Sequence, residues 1–226
     1  MLYTYSMDIH EIASKFPGTV RRFKAGTPIV YQGEIPRYGF FLKKGLVKVY
    51  NLHSSGSEQI LRFYNPGSFF PLPWLYGKVK TEFYFYEAIE DCEVVSITKQ
   101  DIQSIVESNP KIKQVIFDSL LEDQSALNLR IISLEQPRAT EKLAFTFYYL
   151  LHRYGKHVRD DKYIVELSLT HIILANLVGL TRETITMEIN KLKRKGALEY
   201  SKKIYTVDKQ KLEQIIGEDS FSELIS

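Results

Sequence analysis

Cysteine is almost missing from this chain, which holds one, Cys92. A lone thiol closes no intrachain disulfide, and a zinc or iron–sulfur site built on several cysteines does not fit one chain. Its setting in the strand-like "CEVVSI" marks Cys92 as a buried apolar filler. The five histidines, His10, His53, His152, His157 and His171, show no metal-ligand spacing, so neither metal nor cofactor is expected. No apolar run approaches the ~18 residues of a membrane span. The opening "MLYTYSMDIHEIASKF" lacks the basic-then-apolar layout of a secretory signal. A cytoplasmic location is therefore expected. Charge of one sign is scarce too: 30 Lys and Arg face 27 Asp and Glu, a net +3 that informs only if it is clustered. There is no internal repeat and no low-complexity stretch.

What is present falls into three regions. Residues 19–98 read as short strands: "TPIVYQG", "YGFFLKKG", "LVKVYNL", "EQILRFY", "EFYFYEAI" and "EVVSI" are rich in β-branched and aromatic residues. Gly26, Gly33, Gly45, Gly56 and Gly67 punctuate them, and "HSSGSE" is a hairpin turn. That rhythm predicts a small barrel or sandwich. "TKQDIQSIVESNP" then predicts a short helix capped by Thr98. From Lys111 to Leu134 there is no Gly or Pro, and Ile112, Ile116, Leu120, Leu127, Ile131 and Leu134 recur at three-, four- or seven-residue spacing, with Asp123 interrupting the seam. One reading is a helix packed on its own chain. The other, favoured by its length and central place, is a dimer helix packed on its twin. The third region opens with an amphipathic helix, "ATEKLAFTFYYLLHRYG".

Within that region two helical patterns meet at Val178-Gly179-Leu180, where glycine supplies the turn. The first carries Ile173 and Leu177 inward and has Thr170 near its start. The second takes Thr181 as N-cap and Glu183 in its first turn. At about 100° per residue, Ile185, Ile189 and Leu192 share the core face. Glu183, Met187, Asn190 and Arg194 fall nearly opposite, flanked by Arg182 and Thr186. Such a helix reads bases with its N-terminal outward residues: Arg182 suits guanine, Glu183 the cytosine amino group, and Thr186 a phosphate or a thymine methyl. Met187 offers only apolar contact. Lys191, Lys193, Arg194 and Lys195 cluster downstream, and Lys202 and Lys203 follow at a hairpin. These are phosphate contacts by type. The bland alternative is a solvated helix face; the helix–turn–helix and basic hairpin together favour DNA.

An enzyme is the rival class. The strand region holds only His53, with no His-x-His pair, phosphate loop, nucleophile elbow or paired acids, so no catalysis is expected.

The chain resembles the cyclic-AMP-receptor/fumarate-nitrate-reductase (CRP/FNR) regulator family over about residues 18–215. "ELSLTHIILANLVGLTRETITMEINKLKRKGAL" carries the likeness at one end, "AGTPIVYQGEIPRYGFFLKKGLVKVY" and "NPGSFF" at the other. The resemblance implies an α+β fold: a double-stranded β-helix (jelly-roll, cyclic-nucleotide-binding-like) sensor with flanking helices in 1–110, a dimerisation helix in 111–136 and a winged helix–turn–helix in 137–226. It implies a homodimer on twofold-symmetric double-stranded DNA, in contact with RNA polymerase. Arg182, Glu183 and Thr186 match family reading positions, whereas many members carry Arg where Met187 stands.

The sensor departs further from the pattern. Nucleotide-binding members follow the Pro-Gly with Gly-Glu and later carry Arg-Ser or Arg-Thr. Here Pro71-Leu72 and Glu82-Phe83 occupy those places. A carboxylate in place of the phosphate's counter-charge repels it, so cyclic nucleotides are not expected as effectors. The aromatics of "FFPLPWLYGKVKTEFYFYEA", including Trp74, Tyr84 and Phe85, either fill the roll or line an apolar effector pocket with Leu72, Glu82 and Phe83. A constitutive regulator without effector and a ligand-binding protein adaptor remain as alternatives.

Overall fold

A computed structural model describes residues 9–201 and 203–217. The chain divides into two compact units, one ending at Leu120 and the other starting at Leu121.

The first unit opens with α1 (Ile9–Ser14), followed by β1 (Val20–Phe23), β2 (Pro28–Val30), β3 (Gly39–Lys44), β4 (Val47–Leu52), β5 (Glu58–Tyr64) and β6 (Phe69–Phe70). Then come α2 (Leu72–Leu75), β7 (Phe85–Ala88), β8 (Cys92–Ile97), α3 (Lys99–Ser108) and the start of α4 (Pro110–Glu135). Every strand pairing is antiparallel, in two four-stranded sheets ordered β1-β8-β3-β6 and β2-β7-β4-β5. This interleaving is the eight-stranded jelly roll. At the β3–β4 turn Gly45 has φ +96°, and a Cβ there would stand 2.6 Å from the Asp91 carbonyl. Both demands require glycine.

Strand alternation divides the apolar residues between two cores. Phe40, Leu42, Phe70, Cys92 and Val94 enter the roll with Val47, Val49, Tyr64 and Tyr86. Phe41, Phe69, Val95 and Ile97 leave by the other face and pack with Ile12, Phe16, Trp74, Ile102, Ile112 and Ile116. The first sheet is therefore buried on both sides. Burial pushes the Cys92 thiol up to about 11, the state of an inert apolar filler. Thr98 caps α3 through a reciprocal box with Asp101, whose backbone N–H donates to the Thr98 hydroxyl at 3.1 Å. Pro110 does not merely end α3; it begins α4, at a position where its missing N–H matters least.

The second unit contains the rest of α4, α5 (Ala139–Tyr154), β9 (Gly155–Arg159), β10 (Lys162–Val165), α6 (His171–Val178), α7 (Arg182–Arg194), β11 (Leu198–Ser201), β12 (Ile204–Asp208) and α8 (Lys209–Ile216). Its sheet runs β11-β12-β10-β9. Helix α5 is the hub: Leu143, Ala144, Phe147 and Leu150 are buried, and the Phe147 ring lies 5.0 Å from that of Tyr205 on β12. The C-terminal half of α4 is tied in by charge. The Arg153 Nε donates to Asp123 at 3.3 Å and its Nη1 lies 3.6 Å from Glu122. Buried Arg130 donates to the Leu177 carbonyl at the end of α6 and to the Ser133 hydroxyl. Burial pulls the Arg130 guanidinium down to about 10, so it stays charged at neutral pH.

The seam expected on α4 divides. Ile112 (0% exposed) and Ile116 face the core of their own unit. Leu120, Leu127 and Ile131 are exposed, Leu134 is half-buried, and Phe117 joins the exposed row at 55%. Phe117, Gln124 and Ile131 are spaced by seven, as are Leu120, Leu127 and Leu134. Asp123, which interrupted the sequence pattern, is occupied by Arg153.

Candidate nucleic-acid interface

Helix α6 starts at Thr170, whose hydroxyl accepts from the Ile173 N–H at 3.3 Å. It ends at Gly179, left-handed at φ 73°, which reverses the chain toward α7. Thr181 then caps α7, its hydroxyl accepting from the Thr184 N–H at 3.1 Å. Both caps place an oxygen on backbone donors that would otherwise go unpaired. Ile185, Ile189 and Leu192 are buried, and Arg182, Glu183, Met187, Asn190 and Arg194 are exposed. Met187 is 57% exposed, so it belongs to the outward row and not to the core.

Thr186 is half-buried and differently placed. Its hydroxyl lies 2.9 Å from both the Arg182 carbonyl and the His171 Nδ1. The His171 ring leans on Tyr200 at 5.7 Å, and its Nε2 has no hydrogen-bond partner among the described residues. Burial, with Arg182 and Lys193 nearby, holds the His171 pKa below the usual histidine value, so the ring is neutral at pH 7. Glu188 is the buried charge of α7: it accepts from the Thr140 hydroxyl of α5 at 2.5 Å and from the Lys191 ammonium at 2.6 Å. These two bonds outweigh desolvation and hold its carboxyl below the usual range. The phase of α7 alone revealed neither His171 nor Glu188 as participants, because each acts through a residue on another helix.

The basic residues behind the reading end are exposed at Lys193, Arg194 and Lys195, while the Lys191 ammonium is held by Glu188. The β11–β12 hairpin places Lys203 at φ 66°. Its carbonyl accepts from the Leu169 N–H at 3.2 Å, fixing the hairpin to the residue just before the α6 cap. Lys202 lies outside the described residues.

In the jelly roll, the six residues grouped as an effector lining are distributed over four settings. Leu72 and Trp74 lie on α2 in the cluster with α1, α3 and α4. Phe83 and Tyr84 precede β7 and are exposed. Phe85 sits between Tyr31 and Tyr50, ring centroids at 6.3 and 5.1 Å. Glu82 is the buried charged residue of the six, 4% exposed. The Tyr86 hydroxyl donates to its Oε2 at 3.1 Å, whereas Oε1 has no partner among the described residues. Burial raises the Glu82 pKa against the opposing pull of that bond. Tyr86 in turn stacks with Phe70 and Tyr64, centroids 5.7 and 6.2 Å away. The strand expected over "EFYFYEAI" is thus shorter than its pattern. Glu82 is held by loop bonds, its N–H donating to the Glu34 carbonyl and its carbonyl accepting from the Gly33 N–H, so pairing as β7 begins only at Phe85.

Among the described residues no group of three or more His, Cys, Asp or Glu side chains is arranged to hold a metal ion. No helix among them is long and apolar enough to cross a membrane.

Comparison with known proteins agrees with this architecture. The family model of the cyclic nucleotide-binding domain matches residues 20–109, and that of the Crp-like helix-turn-helix domain matches residues 141–215. The HTH-type transcriptional regulator ArcR of Staphylococcus haemolyticus is 27% identical over 79% of this chain and 78% of its own. The global nitrogen regulator of a Nostoc species is 25% identical over 86% and 87%. A transcriptional regulator of the CRP/FNR family from Thermus thermophilus superposes with a TM-score of 0.66 at 25% identity, covering 88% of this chain and 99% of its own. A CooA mutant from Carboxydothermus hydrogenoformans shares the fold at a TM-score of 0.74 and 22% identity, over 91% and 90% of the two chains. The two family models follow one another along this chain as the jelly roll and the helix–turn–helix do, and the chain belongs to the CRP/FNR family of DNA-binding transcription regulators.

Proposed function

We propose that the chain works as a homodimer that reads a twofold-symmetric DNA site with α7, under the control of an effector other than a cyclic nucleotide. The observation that carries this reading is the outward row of α7. Arg182 and Glu183 stand exposed in a capped first turn, Met187 follows, and the basic residues Lys193, Arg194 and Lys195 come behind. In this reading Arg182 and Glu183 contact base edges, while Thr170, Thr181, Asn190, Lys191, Arg194, Lys202 and Lys203 belong to the backbone-contacting periphery. The exposed α4 row supports the dimer, because an apolar stripe at heptad spacing is stable in water only when covered. A DNA partner is in keeping with a cytoplasmic protein.

The sensor half of the reading rests on Glu82. Its buried carboxylate, at the place where the resemblance expects a cation for the cyclic phosphate, opposes an anionic ligand. Titration calorimetry with cyclic AMP and cyclic GMP is expected to show no binding; micromolar affinity for either would overturn this part.

Binding measurements on two variants test the DNA half. Arg182→Ala should lose about 1–3 kcal/mol and relax discrimination at one base pair. Lys203→Asn, which tolerates the left-handed backbone, should weaken binding to all sequences alike and flatten the salt dependence by about one counterion. Wild-type affinity, specificity and salt slope in both variants would mean that α7 and the hairpin do not dock on DNA.

A further inference from the structure

The contact between α6 and α7 gives a role to His171, which meets Thr186 beside the outward row. A threonine hydroxyl has one proton and two acceptor lone pairs. The Arg182 carbonyl, 2.9 Å from the Thr186 Oγ1, can only accept, so both contacts are hydrogen bonds at once only with the Thr186 proton pointing there. The His171 Nδ1, also 2.9 Å away, must then be the donor. This fixes the tautomer: Nδ1 carries the hydrogen and Nε2 is the bare nitrogen, consistent with Nε2 having no partner among the described residues. The Thr186 hydroxyl is thereby tied to the chain at both its proton and one lone pair. Its methyl is the group left without a polar obligation, one residue from exposed Met187.

We propose that His171 is a positioning residue for DNA specificity: it holds the Thr186 hydroxyl inward, so that α7 presents a methyl group at a position where a hydroxyl would otherwise be offered. Thr186 and Met187 together form an apolar reading element whose partner is the C5-methyl of thymine, the one apolar group that a base displays in the major groove. Contact with a polar base edge or a phosphate through the Thr186 hydroxyl is correspondingly disfavoured. The inference rests on α7 being the DNA-reading helix.

The test replaces thymine by deoxyuridine, one position at a time, in a site recovered by selection with the full-length protein. The two bases differ only in the methyl group. Wild-type protein is expected to lose about fourfold in affinity at one thymine per half-site, the effect of exposing a methyl-sized group. Thr186→Val, which keeps methyl groups and removes the hydroxyl, should retain that loss. Thr186→Ser, which removes the methyl, should abolish or reduce it. His171→Ala frees the hydroxyl and should also reduce it, whereas adding Thr186→Val to His171→Ala should restore it. The serine variant is a small change on a half-exposed position, so the result does not depend on whether the histidine variant folds. Indifference of the wild type to every uracil, or an unaltered uracil penalty in both Thr186→Ser and His171→Ala, would overturn the proposal. Failure to select any site would instead overturn the reading of α7 as a DNA helix, and the inference with it.

Discussion

At the scale of single residues, the strongest tension lies in Glu82. A buried carboxylate with one oxygen unpaired among the described residues is costly in its charged form, so burial raises its pKa. The direction of the pH effect follows. With its folded pKa raised above the ordinary glutamate value of about 4.3, the stabilising contribution of protonated Glu82 is complete at low pH. It fades as pH rises through the folded value. Removing both members of the pair is therefore expected to be mild: Glu82→Met with Tyr86→Phe should change stability by no more than about 1 kcal/mol at pH 7. Tyr86→Phe alone strips Glu82 of the Tyr86 donor and should destabilise by about 1–3 kcal/mol. Urea unfolding at pH 5 and pH 7 checks both, and the double variant should gain stability relative to wild type as pH rises between these values. A double variant as damaged as the single one would show that the pair stabilises the roll. The sequence made Glu82 conspicuous only through its departure from the family pattern. That it would be buried against Tyr86 depends on a loop contact with Gly33 and Glu34, some fifty residues away, which no local pattern encodes. Lys48 is similar. Its buried ammonium reaches Glu58 at 2.6 Å and Glu87 at 3.1 Å, partners contributed by two other strands.

At the scale of elements, α4 shows how periodicity reveals a helix more readily than it reveals what covers each face. The helix runs where its pattern predicts, but Ile112 and Ile116 belong to one face and the heptad row from Phe117 to Leu134 to another. One-dimensional spacing merged the two because both recur every three or four residues. The exposed row makes a sharp prediction. Leu127→Glu should convert the protein to a monomer at micromolar concentration in sedimentation analysis, since a charge would be placed in the centre of the proposed dimer seam. Gln124→Leu should tighten self-association, because a polar side chain in a core heptad position lowers stability in exchange for register. Unchanged self-association in both variants would place the interface elsewhere. Helix α7 was more transparent. Its caps at Thr181, buried Ile185, Ile189 and Leu192, and exposed Met187 follow from phase and capping chemistry alone. What phase could not supply was Glu188, buried by Thr140 of α5, and Thr186, turned by His171 of α6.

At the scale of the molecule, a jelly roll and a winged helix–turn–helix occur on one chain with α4 in both units. The order of strand-rich, long-helical and mixed regions was legible because glycine punctuation, apolar periodicity and capping residues change at their borders. Strand pairing was not, since β1 meets β8 and β2 meets β7 across some sixty to seventy residues. The central claim is that two copies present two reading helices to one duplex, and geometry then constrains the target: half-sites must be related by a dyad and centred about one DNA turn, ~10 base pairs, apart. Selection of binding sites from random duplex DNA by the purified full-length protein tests this most directly. The account predicts enrichment of an inverted repeat with that spacing and with thymine at one α7-contacted position in each half. Enrichment of an asymmetric sequence, of repeats in direct orientation, or of no sequence at all would contradict it.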